Sequence, residues 1–276
     1  MPNHQFTNVS FYIVAHADDW QLFMQPNAFN DLVAPGSKVV FIITTAGDAG
    51  AGGTYWAGRE EGLKSSIRFC LAPLAALEES SGTKEFNQHT INYSSANNAT
   101  SYFLRLPDGN LDGNGFSPYH YQSLSKFKSG QISTITAIDN SAAYKSWFDL
   151  YLTLQIIIQY ESEGILDVWI NYLNPDSRRN PKDHIDHITT GQAVQEIPAI
   201  SEFRQALFVG YSVSNAIENS SATDLFWKTG MFAAYEKAVY DSSGYSTLQE
   251  SSSTYLRWCL SSADFITALP LNFINS

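Results

Sequence analysis

Charged side chains are scarce in this 276-residue chain, where Asp, Glu, Lys and Arg together make up only 16% of the residues. The basic residues are the scarcer kind, 16 against 27 acidic ones, which gives a formal net charge of −11 at pH 7. Such a chain lacks the positive surface that attracts phosphate backbones and anionic lipid headgroups. The composition therefore argues against nucleic acid as a partner and against a membrane surface.

Cysteines and long apolar runs are also rare. The two cysteines, Cys70 and Cys259, form neither a C-x-x-C motif nor a disulfide framework, and both fall in apolar segments where we expect core positions. No apolar run approaches the roughly 20 residues that span a bilayer. The beginning of the chain, MPNHQFTNVSFYIV, lacks the features of a signal peptide. We therefore expect a cytoplasmic protein without membrane insertion.

Three familiar sequence motifs are not matched in full by this chain. GDAGAGG at 47–53 cannot be fitted to G-x-G-x-x-G, and the chain has no G-x-x-x-x-G-K-[ST] loop. DGNLDGNGFSPY at 108–119 imitates a calcium-binding loop but ends on Tyr119, where a bidentate Glu is required. The G-x-S-x-G elbow of serine hydrolases is missing too. These patterns therefore predict no phosphate-binding loop, EF-hand or nucleophile elbow.

Short apolar runs alternate with segments of helical spacing, which is typical of an α/β fold with a mainly parallel sheet. The runs are nearly continuous rather than alternating, which predicts strands that are covered on both faces. The predicted strands are 11–15, 38–46, 101–106, 165–172 and 206–213. The predicted helices are 20–33, 57–71, 143–162 and 187–197.

No repeat or linker divides the chain, so we expect residues 1–276 to form a single domain with loop insertions. The polar segment 79–100 predicts an inserted loop or hairpin. Residues 222–276 contain the amphipathic stretch DLFWKTGMFAAYEKAVY and predict a C-terminal helical extension.

Two clusters of ionisable residues follow predicted strands. VAHADDW places His16, Asp18 and Asp19 at the exit of the first strand, and KDHIDH at 182–187 follows the strand that ends near Tyr172. Ligands of open α/β sheets bind at the carboxyl ends of the strands. The two clusters are therefore expected to meet at one edge of the sheet.

The spacing within the clusters suggests a metal site. His16 and Asp19 are three residues apart, and His184 and His187 repeat that spacing, which places side chains on one face of a helical turn. Two imidazoles and one carboxylate hold a divalent metal and leave a position for water, but the spacing does not say which histidine of the second pair is the ligand. Asp18 is then free to act as a base on that water. Each motif alone is a weak signal, and it is their chemical complementarity that favours a metal centre.

AHADDW, TTAGDAG with the following Arg59, LPDGNL and HIDH stand in an order and context that resemble the PIG-L/LmbE-like family of zinc-dependent N-acetylglucosamine deacetylases. The motifs of that family are A-H-P-D-D-E near the N-terminus and H-P-D-H or H-x-x-H after a later strand. The resemblance is clearest over residues 10–195. It implies a Rossmann-like fold and a hydrolase that removes an acetyl or other acyl group from an N-acetylglucosamine-like sugar or glycoconjugate.

The resemblance also implies roles for individual residues. His16, Asp19 and His187 would hold the metal, Zn²⁺ with Fe²⁺ as the alternative, and Asp18 would be the general base.

In the second motif, the resemblance implies that His184 acts as general acid or electrophile toward the tetrahedral intermediate, oriented by Asp186. Arg59 and Asp108 match positions near the sugar hydroxyls and are the expected substrate-binding residues.

The sequence departs from the family pattern at three positions. Ala17 and Ile185 replace prolines, and Trp20 replaces the acidic residue that closes the first motif. Losing that carboxylate should change the ligand orientation or the charge around the metal.

Three other functions stay open. They are a hydratase of the same superfamily acting on a dicarboxylic acid, a non-haem iron oxygenase with a 2-His-1-carboxylate site, and a non-catalytic carbohydrate- or partner-binding protein. The loop aromatics beside the expected site could stack on a sugar, although packing is the simpler expectation in so aromatic a chain; they are Tyr55, Trp56, Tyr119, His120 and Tyr121.

Overall fold

A computed structural model of the chain describes residues 6–215, 220–261 and 263–270. The strands and helices of these residues are, in chain order, β1 (Asn8–Val14), α1 (Asp19–Phe23), α2 (Asn27–Val33), β2 (Ser37–Thr45), α3 (Tyr55–Leu71), β3 (Glu79–Phe86), β4 (His89–Ala96), β5 (Ala99–Leu106), α4 (Leu124–Lys128), β6 (Ile135–Thr136), β7 (Ala143–Tyr144), α5 (Trp147–Glu161), β8 (Asp167–Leu173), α6 (Ile185–Gln195), β9 (Arg204–Phe208), α7 (Ala222–Ser243), α8 (Thr247–Leu260) and β10 (Phe265–Ala268).

One mixed sheet organises the fold, with the strand order β10-β9-β8-β1-β2-β5-β4-β3. The strands from β9 to β5 in this order are parallel. At the edges, β10 pairs antiparallel with β9, β4 with β5, and β3 with β4. In chain order the parallel strands are arranged 3-2-1-4-5, the doubly wound order of Rossmann-like folds. The prediction of an α/β fold with a mainly parallel sheet is confirmed.

Helices cover both faces of the sheet. Along β1, Phe11 and Ile13 join the core beneath α4, α5 and α6, whereas Tyr12 and Val14 join the core beneath α1, α2, α3, α7 and α8. Each of these side chains is fully buried, and burying one apolar side chain of this size stabilises the fold by about 1.5–3 kcal/mol. Burial on both faces explains why the strands appear as continuous apolar runs.

Two predicted segments differ from the structure, and the prediction for 79–100 agrees with it. The strand expected over 206–213 is the shorter β9, Arg204–Phe208, and Tyr211–Asn215 form a 3₁₀-helix. The single helix expected over 20–33 is two helices, α1 and α2, which are separated at Pro26. Proline has no amide hydrogen and pushes the residue before it out of the helical region, so one helix cannot run through this position. The polar insertion at 79–100 is the hairpin of β3 and β4, leading directly into β5.

Of the C-terminal helices, α7 packs against α3, and α8 packs against α7 and α1 near the site described below. Lys228 of α7 donates hydrogen bonds to the carbonyls of Trp258 and Ser261, at 2.6 Å each, and so ties the end of α8 to α7. Cys70 and Cys259 are free and buried, as expected for core cysteines. Within the described ranges, none of the helices combines the length and apolarity needed to cross a bilayer.

Candidate metal centre and active site

The two histidine clusters meet where the sheet reverses its winding. β1 and β8 are adjacent parallel strands, and the chain leaves their carboxyl ends in opposite directions, toward β2 and β9. This arrangement opens a crevice at the switch point. His16, Asp18 and Asp19 follow β1, whereas the second cluster begins α6. The histidine and aspartate side chains of both clusters are buried.

Three donor atoms face one another in this crevice. His16 Nδ1 lies 3.1 Å from His187 Nε2, which in turn lies 3.1 Å from Asp19 Oδ1. The third side of the triangle, from His16 Nδ1 to Asp19 Oδ1, is 3.5 Å. Tetrahedral ligands at the usual zinc distances stand about 3.3–3.5 Å apart, so the triangle has the size of one metal-binding face. The three residues fit a bound divalent metal.

His187 is oriented by a carboxylate that the sequence analysis missed. Its Nδ1 lies 2.9 Å from Asp183 Oδ1, which also accepts the backbone N–H of Tyr211 at 3.0 Å. A Cβ on Gly210 would lie 2.4 Å from this carboxylate, so only glycine fits there. A carboxylate on the far nitrogen fixes the tautomer and leaves Nε2 free to bind metal. The only sequence signal for Asp183 is its four-residue spacing from His187.

His16 turns its second nitrogen toward Asp186. His16 Nε2 and Asp186 Oδ1 are buried and have no hydrogen-bond partner among the described residues, and the nearest approach is 3.5 Å between His16 Nε2 and Asp186 Oδ2. Asp186 Oδ2 also accepts the backbone N–H of Gly109 at 2.8 Å. The carboxylate is farther from His184, at 3.8 Å from Nδ1. The Asp186 carboxylate therefore lies slightly nearer to His16 than to His184, and the expected orientation of His184 by Asp186 stays a prediction.

The carboxylates control protonation in the cluster. Burial alone would lower the pKa of His16, but the carboxylates of Asp19, Asp186 and Asp108 together outweigh burial, and the pKa rises to about 9. The pKa of His187 is also raised against burial, by Asp183 and Asp19. The pKa of Asp19 is lowered in return, because the two imidazoles outweigh its own burial. The site is built to hold positive charge among these groups.

His184 has a different environment. It is the N-cap of α6, and its Nδ1 accepts the backbone N–H of Asp186 at 3.1 Å. An accepting Nδ1 places the proton of the neutral imidazole on Nε2. Burial, followed by repulsion from the other two imidazoles, lowers the pKa of His184 to about 3. At neutral pH His184 is therefore an uncharged donor through Nε2.

Asp18 is paired with Arg59 inside the protein. Arg59 Nη2 donates to Asp18 Oδ1, Nη1 donates to the carbonyl of Gly47 at 2.8 Å, and Nε donates to the Tyr235 hydroxyl at 2.9 Å. Arg59 is 7% exposed. Burial would lower the pKa of Arg59, but the Asp18 carboxylate raises it well above its ordinary value, so the guanidinium stays charged.

Asp108 closes the opposite side of the crevice. Its carboxylate lies 3.9 Å from His16 Nε2 and 4.0 Å from His184 Nε2. Burial would raise the pKa of Asp108, but the His16 imidazole, the backbone N–H of Asn110 and Arg59 together outweigh burial and lower it. The backbone N–H of Asp108 donates to Asp48, whose pKa burial raises to about 6. Asp108 therefore presents an ionised acceptor to the crevice.

A cavity of about 230 Å³ opens over these groups. One side is polar, and the other is largely aromatic and comes in part from α8. The lining residues used below are His16, Asp18, Asp19, Arg59, Asp108, His184, Tyr55, Tyr211, Tyr255 and Trp258.

Only part of this aromatic wall was expected from the sequence. Of the five loop aromatics singled out, Tyr55 lines the cavity, whereas the lining does not include Trp56, Tyr119, His120 or Tyr121. The wall is instead built around Tyr211 and Trp258, whose rings are stacked with centroids 4.6 Å apart. No short motif marks these two residues.

Trp20 is a core residue. It is fully buried, with its ring 4.7 Å from that of Phe41, and it does not line the cavity. Its indole N–H has no partner among the described residues. The carboxylates of Asp183 and Asp186 are the ones that face the ligand histidines in this chain.

No family model matches the chain, and no curated protein matches it. Among solved structures, the chain is similar to an N,N'-diacetylchitobiose deacetylase from Pyrococcus horikoshii complexed with its inhibitor MPG. The two are 15% identical and have a TM-score of 0.49; the match covers 99% of this chain and 87% of the other. A likeness this distant leaves the residues of the crevice as the basis for assigning a function.

Proposed function

We propose that the protein is a metal-dependent hydrolase that removes an acetyl or other acyl group from the amide of an N-acetylglucosamine-like sugar. His16, Asp19 and His187 hold the metal, Zn²⁺ or alternatively Fe²⁺. The observation that carries the proposal is the triangle of donor atoms, with sides of 3.1, 3.1 and 3.5 Å, beside a buried carboxylate and a neutral imidazole in one cavity.

The metal, when bound, supplies a Lewis acid that acidifies water and polarises the acyl carbonyl. Asp18 is the general base that takes a proton from the attacking water. Arg59 donates a hydrogen bond to one oxygen of this carboxylate, which leaves the other oxygen for proton transfer. Asp18, once protonated by the attacking water, can pass the same proton to the leaving amine. The reaction therefore needs no second acid.

His184 stabilises the developing oxyanion by donating a hydrogen bond from Nε2. Its capping role at α6 supports this assignment, because Nδ1 is already engaged by the backbone N–H of Asp186. An imidazole with a pKa of about 3 carries no spare proton at neutral pH, so it acts as an electrophile rather than as a general acid.

The other implied residues have supporting roles. Asp186 positions His16 through its outer nitrogen. Asp108 accepts a hydrogen bond from a sugar hydroxyl, since its ionised carboxylate lines the cavity. Arg59 also lines the cavity, but its first task is to orient Asp18.

The charge of the cavity disfavours the hydratase alternative. Beyond the metal itself, Arg59 is the only Lys or Arg of the described lining that could bind a dicarboxylic acid, and it is already paired with Asp18. Three carboxylates, Asp18, Asp19 and Asp108, share that lining. A neutral substrate that offers hydroxyls and an amide fits this surface better than an anion does.

Two further alternatives remain. Iron oxygenases with a 2-His-1-carboxylate site mostly use an antiparallel β-barrel, whereas this sheet is mainly parallel. A non-catalytic binding protein predicts affinity for a sugar without acetate release, and the test below distinguishes that outcome from hydrolysis.

The test combines acetate release with metal content. The zinc-loaded protein is incubated with N-acetylglucosamine, and acetate is measured for wild type and Asp18→Asn. We expect release by wild type and a fall of about 10²–10⁴-fold in kcat for Asp18→Asn, with zinc content unchanged. An equal rate in both proteins would contradict the role of Asp18. Zinc-loaded wild type that releases acetate from no N-acetyl sugar would contradict the proposed function.

A further inference from the structure

We propose that the protein has a second ligand site, away from the metal centre, which binds a neutral, hydroxyl-rich ring of the sugar type. The site is a cavity of about 290 Å³ between α3 and the strands β3, β4 and β5. Among the described residues, none lines both this cavity and the one over the metal centre. Arg68, at the new site, lies about 13 Å farther along α3 than Arg59, at 1.5 Å of rise per residue. The inference therefore goes beyond the proposed function and does not depend on it.

The floor of the cavity is a row of serines that crosses three strands. Ser81 of β3 pairs with Ser94 of β4, which pairs with Ser101 of β5. Directly paired residues lie on the same face of a sheet, with neighbouring strands about 4.8 Å apart. This face is covered by α3, because Phe103, two residues along β5 from Ser101, lies beneath Lys64 of that helix. Larger side chains would fill the space under the helix, as core side chains normally do, whereas the serines leave a polar cavity.

Ser101 is the residue that points to a ligand. It is 1% exposed, and its Oγ is buried without a hydrogen-bond partner among the described residues. A buried hydroxyl without a partner costs free energy that a partner would recover. A serine hydroxyl both donates and accepts hydrogen bonds, so it can pair with a ligand hydroxyl in either direction. The lining of the cavity includes Ser101, and a ligand that enters the cavity can therefore reach this group.

The charged residues of the lining neutralise one another. Arg68 donates from Nε to Glu79 of β3 at 2.7 Å and from Nη1 to Glu61 at 2.5 Å. Lys64 Nζ donates to the other oxygen of Glu61 at 3.4 Å. Two cations and two carboxylates leave no net charge to attract an anion or a cation. Their remaining N–H groups and oxygens can bond to hydroxyls, so this lining favours a neutral ligand with several hydroxyl groups.

The size and the apolar part of the cavity suit a single ring. A volume of about 290 Å³ is close to the ~300 Å³ at the lower end of small-molecule sites. Ile67 of α3 and Ala96 and Ala99 of the hairpin strands add apolar surface beside the serines. A sugar ring carries hydroxyls around its edge and C–H groups on its faces. It can therefore contact the serine row and the apolar residues at the same time.

The test uses D-glucose as the probe. It is titrated into zinc-loaded, ¹⁵N-labelled protein, and the amide shifts of β3, β4 and β5 are followed by NMR. We expect shifts that saturate in wild type, binding that is weaker by about 2- to 10-fold in Ser101→Ala, and no binding in Ser94→Leu, which fills the cavity. Thr100→Ala is the matched control, because Thr100 precedes Ser101 on β5 and its side chain points to the opposite face of the sheet. It should bind D-glucose like wild type.

D-Glucuronate, the same ring with a carboxylate, tests the preference for a neutral ligand, and we expect it to bind several-fold more weakly than D-glucose. Tighter binding of D-glucuronate would overturn that preference. The site itself would be overturned by shifts that do not saturate, which would leave water as the partner of Ser101, or by binding that survives both Ser101→Ala and Ser94→Leu. Acetate release tests the hydrolase separately, so either proposal can fail without the other.

Discussion

Arg59 reaches from α3 to hold Asp18, the residue that follows Ala17 at the exit of β1. The pair is buried, and Tyr235 of α7 accepts a hydrogen bond from the same guanidinium at 2.9 Å. The proposed general base is therefore held by a chain of contacts that begins in the C-terminal part of the protein. Three segments that are distant in sequence cooperate to position one carboxylate.

The contacts that run from Tyr235 through Arg59 to Asp18 predict that Tyr235→Phe lowers kcat without removing metal. The substitution deletes the hydroxyl that accepts the Arg59 Nε–H, and losing one partner of a buried donor costs about 1–3 kcal/mol. We expect a several-fold fall in kcat and little change in zinc content. Tyr240→Phe, which alters an exposed tyrosine of the same helix, is the control. A kcat equal to that of wild type would argue against the positioning role.

Asp183→Asn is predicted to weaken metal binding. The substitution removes the charge that faces His187 Nδ1 at 2.9 Å, and such outer partners contribute about 10- to 100-fold to metal affinity. Zinc affinity is measured by competition with a chromophoric chelator. Asp112→Asn, at an exposed loop position, serves as the control and should bind zinc normally. Unchanged affinity in Asp183→Asn would mean that His187 needs no carboxylate partner.

The role of His184 is tested by two substitutions with opposite chemistry. Glutamine keeps a neutral donor near the position of Nε2, whereas leucine removes it. We expect His184→Leu to lower kcat by about 10²–10³-fold and His184→Gln to retain measurably more activity. A general acid could not be replaced by an amide, so equally inactive variants would contradict the electrophile assignment. Thermal unfolding of both variants reports the cost of the lost N-cap.

Much of the fold follows from patterns within short windows. Strands such as β1 and β2 are identifiable because burial on both faces demands unbroken apolar runs, and α3 and α5 appear within a few residues of their predicted bounds. The helix over 20–33 failed because one proline outweighed the apolar spacing around it. Hydrophobic periodicity over a stretch of sequence does not reveal that one residue, here Pro26, lacks the amide hydrogen that a continuous helix needs.

The candidate site, like the fold, could be predicted from the sequence only in part. The meeting of His16 and Asp19 with His187 follows from motif spacing and from the rule for strand ends. Tyr211 and Trp258 could not be predicted, because their place in the wall depends on how the 3₁₀-helix Tyr211–Asn215 packs against α8. Their sequence contexts are ordinary apolar ones, so only the packed structure distinguishes a wall from a core.

Stability at alkaline pH tests the attachment of α8. Burial lowers the pKa of Lys228 to about 8 from the ordinary 10.5. Between these values the unfolded chain binds more protons than the folded protein, so this lysine favours folding increasingly as pH rises from 8 to 10.5. The free energy of unfolding of wild type minus that of Lys228→Met should therefore increase with pH over this window. A difference that stays flat or falls would show that Lys228 is not desolvated.

The most direct measurement is the metal content of the purified protein, determined by plasma mass spectrometry after reconstitution with zinc or ferrous iron. The account predicts about one metal ion per chain in wild type, and none in His16→Ala or His187→Ala. His120→Asn is the control, because His120 is exposed with a φ of 55° that asparagine tolerates; it should bind metal like wild type. Wild type without metal, or both alanine variants with full metal, would contradict the claim that the two motifs form one metal centre.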